Sequence, residues 1–256
     1  MAYTETQAAV FPEADFRIGR VVSKTLEVFS RNIVTFTLIA GIVQLPLLVD
    51  FGMEQFGQAS GEAPTRLGQL NRQLLSSFLD MVFSGLSTAV ILQGALQFMR
   101  GRSRNVRESF TTAGSRILPL LGVILLTAVG EFLGFLLLIV PGIVLMMMWS
   151  VVVPVTIVEG ASPSRSLARS RELTKGCLWK IFAILFAGFL CLGGGLYLVW
   201  GVTVALGMGL WEYIGLMWVY YALSGGVCGV LYAVIYYYLR VAKEGVDVDQ
   251  IAAVFD

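Results

Sequence analysis

Between Ile117 and Val158 the chain runs for 42 residues with a single charged side chain, Glu131. As one α-helix this stretch would be about 63 Å long, twice the roughly 30 Å hydrocarbon layer of a bilayer. A soluble core has no use for an apolar run of that length, so the stretch has to fold back on itself in a membrane. Pro141-Gly142 lies near its middle. Proline lacks a backbone donor and glycine admits positive φ, so a tight turn is expected at Pro141 and Gly142, between spans at about 117–140 and 142–158. The composition agrees: 57% of the 256 residues are hydrophobic and 14% are charged, against about a quarter charged in average soluble proteins.

The same length argument applies to Ile181 through Leu239, which would extend about 88 Å and carries only Glu212. Gly207, Gly209 and Glu212 place a turn between spans at about 180–206 and 212–239. Trp200, Trp211 and Trp218 suit one interface, and Tyr236, Tyr237 and Tyr238 beside Arg240 suit the other. Ile33 to Val49 is uncharged and gives a first span at about 33–50, with a kink expected at Pro46. Gln73 to Met99 gives a second at about 73–99, and Phe51 to Arg72 reads as a loop. The expected fold is therefore all-α, a polytopic bundle of six transmembrane helices over residues 16–240. Tails at 1–15 and 241–256 lie on one side, and Met1 to Asp15 lacks the features of a secretory signal.

Basic residues in short loops are retained in the cytoplasm. Sixteen of the eighteen Lys and Arg fall before the first span, in the second and fourth loops, or after the sixth span; only Arg66 and Arg72 fall opposite. Both termini are then cytoplasmic.

Two further segments read as amphipathic cytoplasmic helices. In Phe16 to Arg31, Ile18, Val21, Val22, Leu26 and Phe29 recur on one face, with Arg17, Arg20, Lys24, Glu27 and Arg31 on the other. This element either lies along the anionic inner leaflet or is a plain basic flank of the first span. The second runs from about Pro163 to Lys175, with Ser162 placed to cap, Pro163 at the first helical position and Gly176 just past the end. Arg165, Arg169, Ser170, Arg171, Thr174 and Lys175 make phosphate headgroups an available partner. Alternatively these side chains stitch the bundle ends together, with Glu159 or Glu172 accepting from Arg169.

The chain has no histidine, which removes Ser-His and Cys-His nucleophile pairs and imidazole metal sites. Cys177, Cys191 and Cys228 show no CxxC spacing and read as inert thiols. A net charge of +1 gives no sign of a nucleic-acid partner, and no motif calls for a cofactor. Gly193-Gly194-Gly195 lies within a span rather than after a strand, so it is not a nucleotide loop.

Pro141-Gly142-Ile143, Pro154-Val155, Glu159, Ser166-Leu167-Ala168-Arg169-Ser170, Leu173-Thr174-Lys175-Gly176 and Trp179 form an ordered pattern. It resembles the membrane-domain family found in some bacterial glycerophosphoryl diester phosphodiesterases and in related inner-membrane proteins. The amphipathic run from Phe16 into a span ending at Leu45-Pro46 is also similar, so the likeness covers most of residues 16 to 240. In fused members a separate soluble barrel carries the phosphodiesterase and its histidines. The resemblance implies the membrane module without the hydrolase, and no catalytic residue carries over.

Ionisable groups inside spans are costly and are functional candidates by default. Asp80 and Glu131 qualify, at comparable depth in the outer half. Ser77, Ser84, Ser87 and Gly94 share the Asp80 side of their helix, and Gly130 with Gly134, like Gly225 with Gly229, has a spacing that favours close helix contact. The two acids could share a proton or bind a cation or polar headgroup, or each could be a protonated acid hydrogen-bonded to a serine. The sequence therefore points to a non-enzymatic inner-membrane protein that scaffolds, or interacts with lipids, membrane proteins or its own copies, through a basic cytoplasmic face. The alternative is a transporter of a small solute, ion or lipid that uses Asp80 and Glu131.

Overall fold

The computed structural model describes residues 16–49, 52–53, 65–99, 114 and 116–245. Expectations for the tails and for Arg100, Arg102, Arg104 and Arg107 lie outside those residues. The described elements are helices α1 (Ile18–Ser30), α2 (Ile33–Val43), α3 (Arg66–Met99), α4 (Ile117–Leu137), α5 (Ile139–Met148), α6 (Val152–Glu159), α7 (Pro163–Thr174), α8 (Leu178–Ala205) and α9 (Leu210–Glu244). A short helical stretch at 45–49 follows α2, and no strand occurs among the described residues. The fold is an all-α helical bundle. Helices α3, α4, α8 and α9, and α5 with α6 as one unit, are long and apolar enough to cross a membrane.

The expected first span is different. Helix α2 covers 11 residues, about 16 Å, and qualifies as a span only together with α1, from which it is bent by 85°. Pro46 has no N–H to give the Ile42 carbonyl, and the helix ends at Gln44, two residues before it. The bend lays α1 across the bundle. Val21, Thr25, Val28 and Phe29 are buried against it, while Ile18, Val22 and Leu26 form an exposed apolar row beside the charged face.

The chain reverses at Leu138, not at Pro141-Gly142. Leu138 is extended, and α5 starts at the next residue with Pro141 in its first turn. The first N–H groups of a helix have no acceptor within it, so a proline there removes nothing. Gly142 is not in a left-handed conformation. Its role is close approach: α4 and α5 pack as a hairpin in which a Cβ on Gly134 would lie 3.1 Å from the Gly142 Cα. Gly130 likewise accommodates the Trp149 ring. Residues 149–151 interrupt the helix between α5 and α6.

Helix α3 begins at Arg66, seven residues before the expected start at Gln73, so part of the expected loop is helical. Between α8 and α9 the turn falls where Gly207 predicts it, with φ +59, and the Glu212 carboxylate accepts from the Gly209 N–H. Tyr236 is not an interfacial anchor: it is fully buried.

Helix α9 is the central element, packed against α1, α2, α3 and α8. Gly229 lets Ile91 of α3 approach, Gly226 admits Phe29 and Phe36, and Gly225 faces Gln44 and Ala40. The buried core is concentrated at one end of the bundle, around Val230–Leu239 of α9, Ala89–Leu96 of α3 and Val155–Val158 of α6. Three contacts join the elements at that end: Arg116 to the end of α6, Lys180 to the Phe16 carbonyl, and Arg169 to Glu244. Every described Lys and Arg other than Arg66 and Arg72 belongs to the segments gathered there, hence the basic end.

Candidate functional site

Two sites follow from this architecture, one at each end. At the basic end, α7 lies across the termini of α4, α6 and α9. Its ends are as the sequence predicts: Ser162 precedes it, Pro163 opens it, and Gly176 follows with φ +85, although the Ser162 side chain makes no capping bond. Ser166, Ser170, Leu173 and Thr174 form its buried face. The Ser170 hydroxyl donates to the Met148 carbonyl at 2.8 Å and Thr174 Oγ1 to the same oxygen at 3.3 Å. These bonds serve a carbonyl at the end of α5, where the helical ladder is interrupted and no downstream N–H is in register. Arg116 acts similarly at the end of α6, where its Nη1 donates to the Ile157 carbonyl.

Three acids of this end, Glu159, Glu172 and Glu244, are held in one network. Arg169 Nε donates to Glu159 at 3.1 Å, its Nη1 lies 3.6 Å from Glu172, and its Nη2 pairs with Glu244. Arg240 pairs with Glu244 at 2.8 Å, and the Tyr236 hydroxyl donates to Glu159 at 3.1 Å. A guanidinium spreads five donors over a rigid fork and can serve several carboxylates in a fixed geometry, which the three donors on a single ammonium nitrogen do not reproduce. Two arginines thus engage three glutamates across α6, α7 and α9. The stitching role for Arg169 and Glu159 is therefore present in the structure. Sequence reading missed Glu244, Tyr236 and Arg240 as members, because only the fold brings α9 to α7.

What remains of α7 is basic. Arg165, Arg171 and Lys175 are exposed and make no ion pair among the described residues. On α1, Lys24 and Arg31 flank Glu27 at 3.1 and 3.4 Å. The hydrogen bond and charge of Lys24 hold the Glu27 carboxyl below its usual range.

At the opposite end the helices diverge around a cavity of about 280 Å³ between α2, α3 and α9. Gln44, Gln73, Ser76, Ser77 and Asp80 supply its polar lining, and Leu47, Leu48, Met217, Trp218 and Tyr221 the rest. Asp80 is exposed and has no hydrogen bond or ion pair among the described residues. Ser84 donates to Met81 of its own helix, and Ser87 is buried one turn further on. The serine-bonded form of Asp80 is thus not what the structure contains. Gln73, Ser76, Ser77 and Asp80 repeat at helical spacing, a signal that could have located this face.

Glu131 is half-buried and is not part of this cavity. Asp80 lies within electrostatic reach of Tyr221, and Glu131 within reach of Tyr232. These tyrosines are eleven residues apart on α9, about 16 Å along its axis. The cavity that Asp80 lines thus does not include Glu131. No group of three metal-ligating side chains occurs among the described residues.

Comparison with protein-family models, with curated proteins and with solved structures finds no match to this chain.

Proposed function

We propose that this is a non-enzymatic, multi-pass protein of a bacterial inner membrane, with both termini cytoplasmic, whose basic end docks on anionic lipid headgroups and so scaffolds the membrane around it. The observation that carries this reading is the sorting of charge on and beside α7. Glu159, Glu172 and Glu244 are engaged by Arg169 and Arg240, which leaves Arg165, Arg171 and Lys175 exposed with no acid paired to them among the described residues. Basic side chains near a membrane surface each contribute about 1 kcal/mol of attraction to anionic lipid. Helix α1 supports the same reading, because its exposed Ile18, Val22 and Leu26 row adjoins a charged face in the manner of a helix seated in the interface. Transport through a paired Asp80 and Glu131 has less support, since Glu131 does not line the cavity that Asp80 lines.

The test is binding of dihexanoyl phosphatidylglycerol to the purified full chain in neutral detergent. Saturable binding that weakens with salt, and weakens several-fold in the Arg165→Gln, Arg171→Gln, Lys175→Gln variant, is expected. Equal binding by the triple variant would remove the basis of the proposal. Cysteine labelling in intact cells tests orientation, with Arg72→Cys expected to react with an impermeant reagent and Arg171→Cys not.

A further inference from the structure

The cavity at the end away from α7 is independent of the lipid-docking reading and has unused chemistry of its own. Its polar lining consists of one carboxylate, Asp80, and four uncharged groups, Gln44, Gln73, Ser76 and Ser77, and no Lys or Arg contributes. None of these five side chains has a hydrogen bond among the described residues. Trp218 and Tyr221 bring two aromatic rings to the same lining.

The position of the cavity narrows the ligand. Helix α3 ends at Met99 at the basic end, and Asp80 is nineteen residues back along it, about 28 Å at helical rise. That is close to the roughly 30 Å thickness of a hydrocarbon layer, so Asp80 lies at the level of the opposite headgroups, with Gln73, Ser76 and Ser77 further out. Trp218 and Tyr221 occupy the matching level of α9, the depth at which amphipathic rings accumulate. One carboxylate is a poor match to a bare metal ion, which takes several charged or carbonyl oxygen ligands.

We infer that this cavity binds an ammonium–phosphate group of the phosphoethanolamine type, with the ammonium on Asp80 beside the aromatic side chains of Trp218 and Tyr221, and the phosphate within reach of uncharged donors. An ammonium next to a carboxylate and aromatic rings gains charge pairing and cation–π attraction together. The apolar Leu47, Leu48 and Met217 suit the first carbons of an acyl-bearing ligand. The group can come from a lipid headgroup or from a soluble amine, and the experiment separates the two.

Calorimetric titration of the full chain in neutral detergent uses dihexanoyl phosphatidylethanolamine, O-phosphoethanolamine and dihexanoyl phosphatidylglycerol. Saturable phosphatidylethanolamine binding is expected, weakened at least tenfold by Asp80→Asn, retained by Asp80→Glu, and weakened a few-fold by Trp218→Leu, which removes the aromatic ring. Phosphatidylglycerol affinity should be unaffected by Asp80→Asn, and phosphatidylethanolamine affinity unaffected by the triple glutamine variant of α7. Equal affinity for O-phosphoethanolamine would identify the soluble amine as the source, and binding of the lipid alone would identify the headgroup. Unchanged phosphatidylethanolamine affinity in Asp80→Asn, or loss of that affinity in the α7 variant, would overturn the inference. Should Asp80→Asn fail to fold, absence of saturable ethanolamine binding by the wild-type chain would overturn it equally.

Discussion

Arg169 reaches Glu159 across the corner between α6 and α7, its Nε 3.1 Å from the carboxylate, and the same guanidinium pairs with Glu244 at the far end of the chain. One side chain thereby ties three helices together. These groups are less than a third exposed, at 28% for Arg169 and 21% for both glutamates, so screening by water is limited. Arg169→Ala removes the donor that Glu159 and Glu244 share and leaves them only Tyr236 and Arg240 respectively. A loss of about 1–3 kcal/mol is expected, read as a lowered thermal midpoint by circular dichroism in detergent. Arg169→Lys should recover only part of it, because a point charge cannot serve both carboxylates with the geometry of a fork.

Ser170 should matter to the interrupted helix rather than to lipid. Its hydroxyl donates to Met148, and it is fully buried, so it cannot contact a headgroup. Ser170→Ala is expected to cost about 1 kcal/mol, and Ser170→Ala with Thr174→Ala more, because the carbonyl then has neither hydroxyl. Phosphatidylglycerol affinity should stay unchanged in both variants. A fall in affinity with no change in thermal midpoint would show that these hydroxyls face lipid instead.

The parts of this molecule that were legible in the sequence are those encoded within a few residues. Pro163 and Gly176 bound α7 because a proline fits a first turn and a glycine fits a left-handed residue after the last, and both signals act locally. Gly207 marked the α8–α9 turn for the same reason. Pro141 misled because proline is compatible both with a turn and with the first turn of a helix, and the reversal at Leu138 has no residue signature of its own. Counting uncharged residues from Ile33 to Val49 could not show that the helix stops at Gln44. Asp80 was visible as the single charge between Gln73 and Met99, but its cavity takes residues from three segments, and no local pattern places Gln44 beside Trp218.

Gly229 and Gly193 are both helical glycines, yet substitutions there should have opposite signs. A Cβ on Gly229 would lie 2.8 Å from Ile91, whose side chain is fully buried and has nowhere to go. Gly229→Val should destabilise by about 1–3 kcal/mol through overpacking. A Cβ on Gly193 meets nothing within 4 Å. Gly193→Ala should therefore be neutral or stabilising by up to about 1 kcal/mol, since alanine has the higher helix propensity. Thermal midpoints of the two variants, measured side by side, check the difference in sign.

The row of Ile18, Val22 and Leu26 on α1 predicts a depth profile around that helix. Leu26 is 59% exposed although the face beside it is buried against the bundle, and Ser23 lies on the polar side and donates to its own helix at Arg20. If α1 lies in the interface, the Leu26 position is in contact with acyl chains and the Ser23 position with water, although both are exposed on the protein itself. With Cys177, Cys191 and Cys228 replaced by serine, bimane attached at Leu26→Cys in nanodiscs should emit at shorter wavelength than bimane at Ser23→Cys. A lipid-soluble quencher should act on the first label and a water-soluble one on the second. Identical spectra and quenching at the two positions would place both faces in water, and α1 would then be a basic flank with no seat in the membrane.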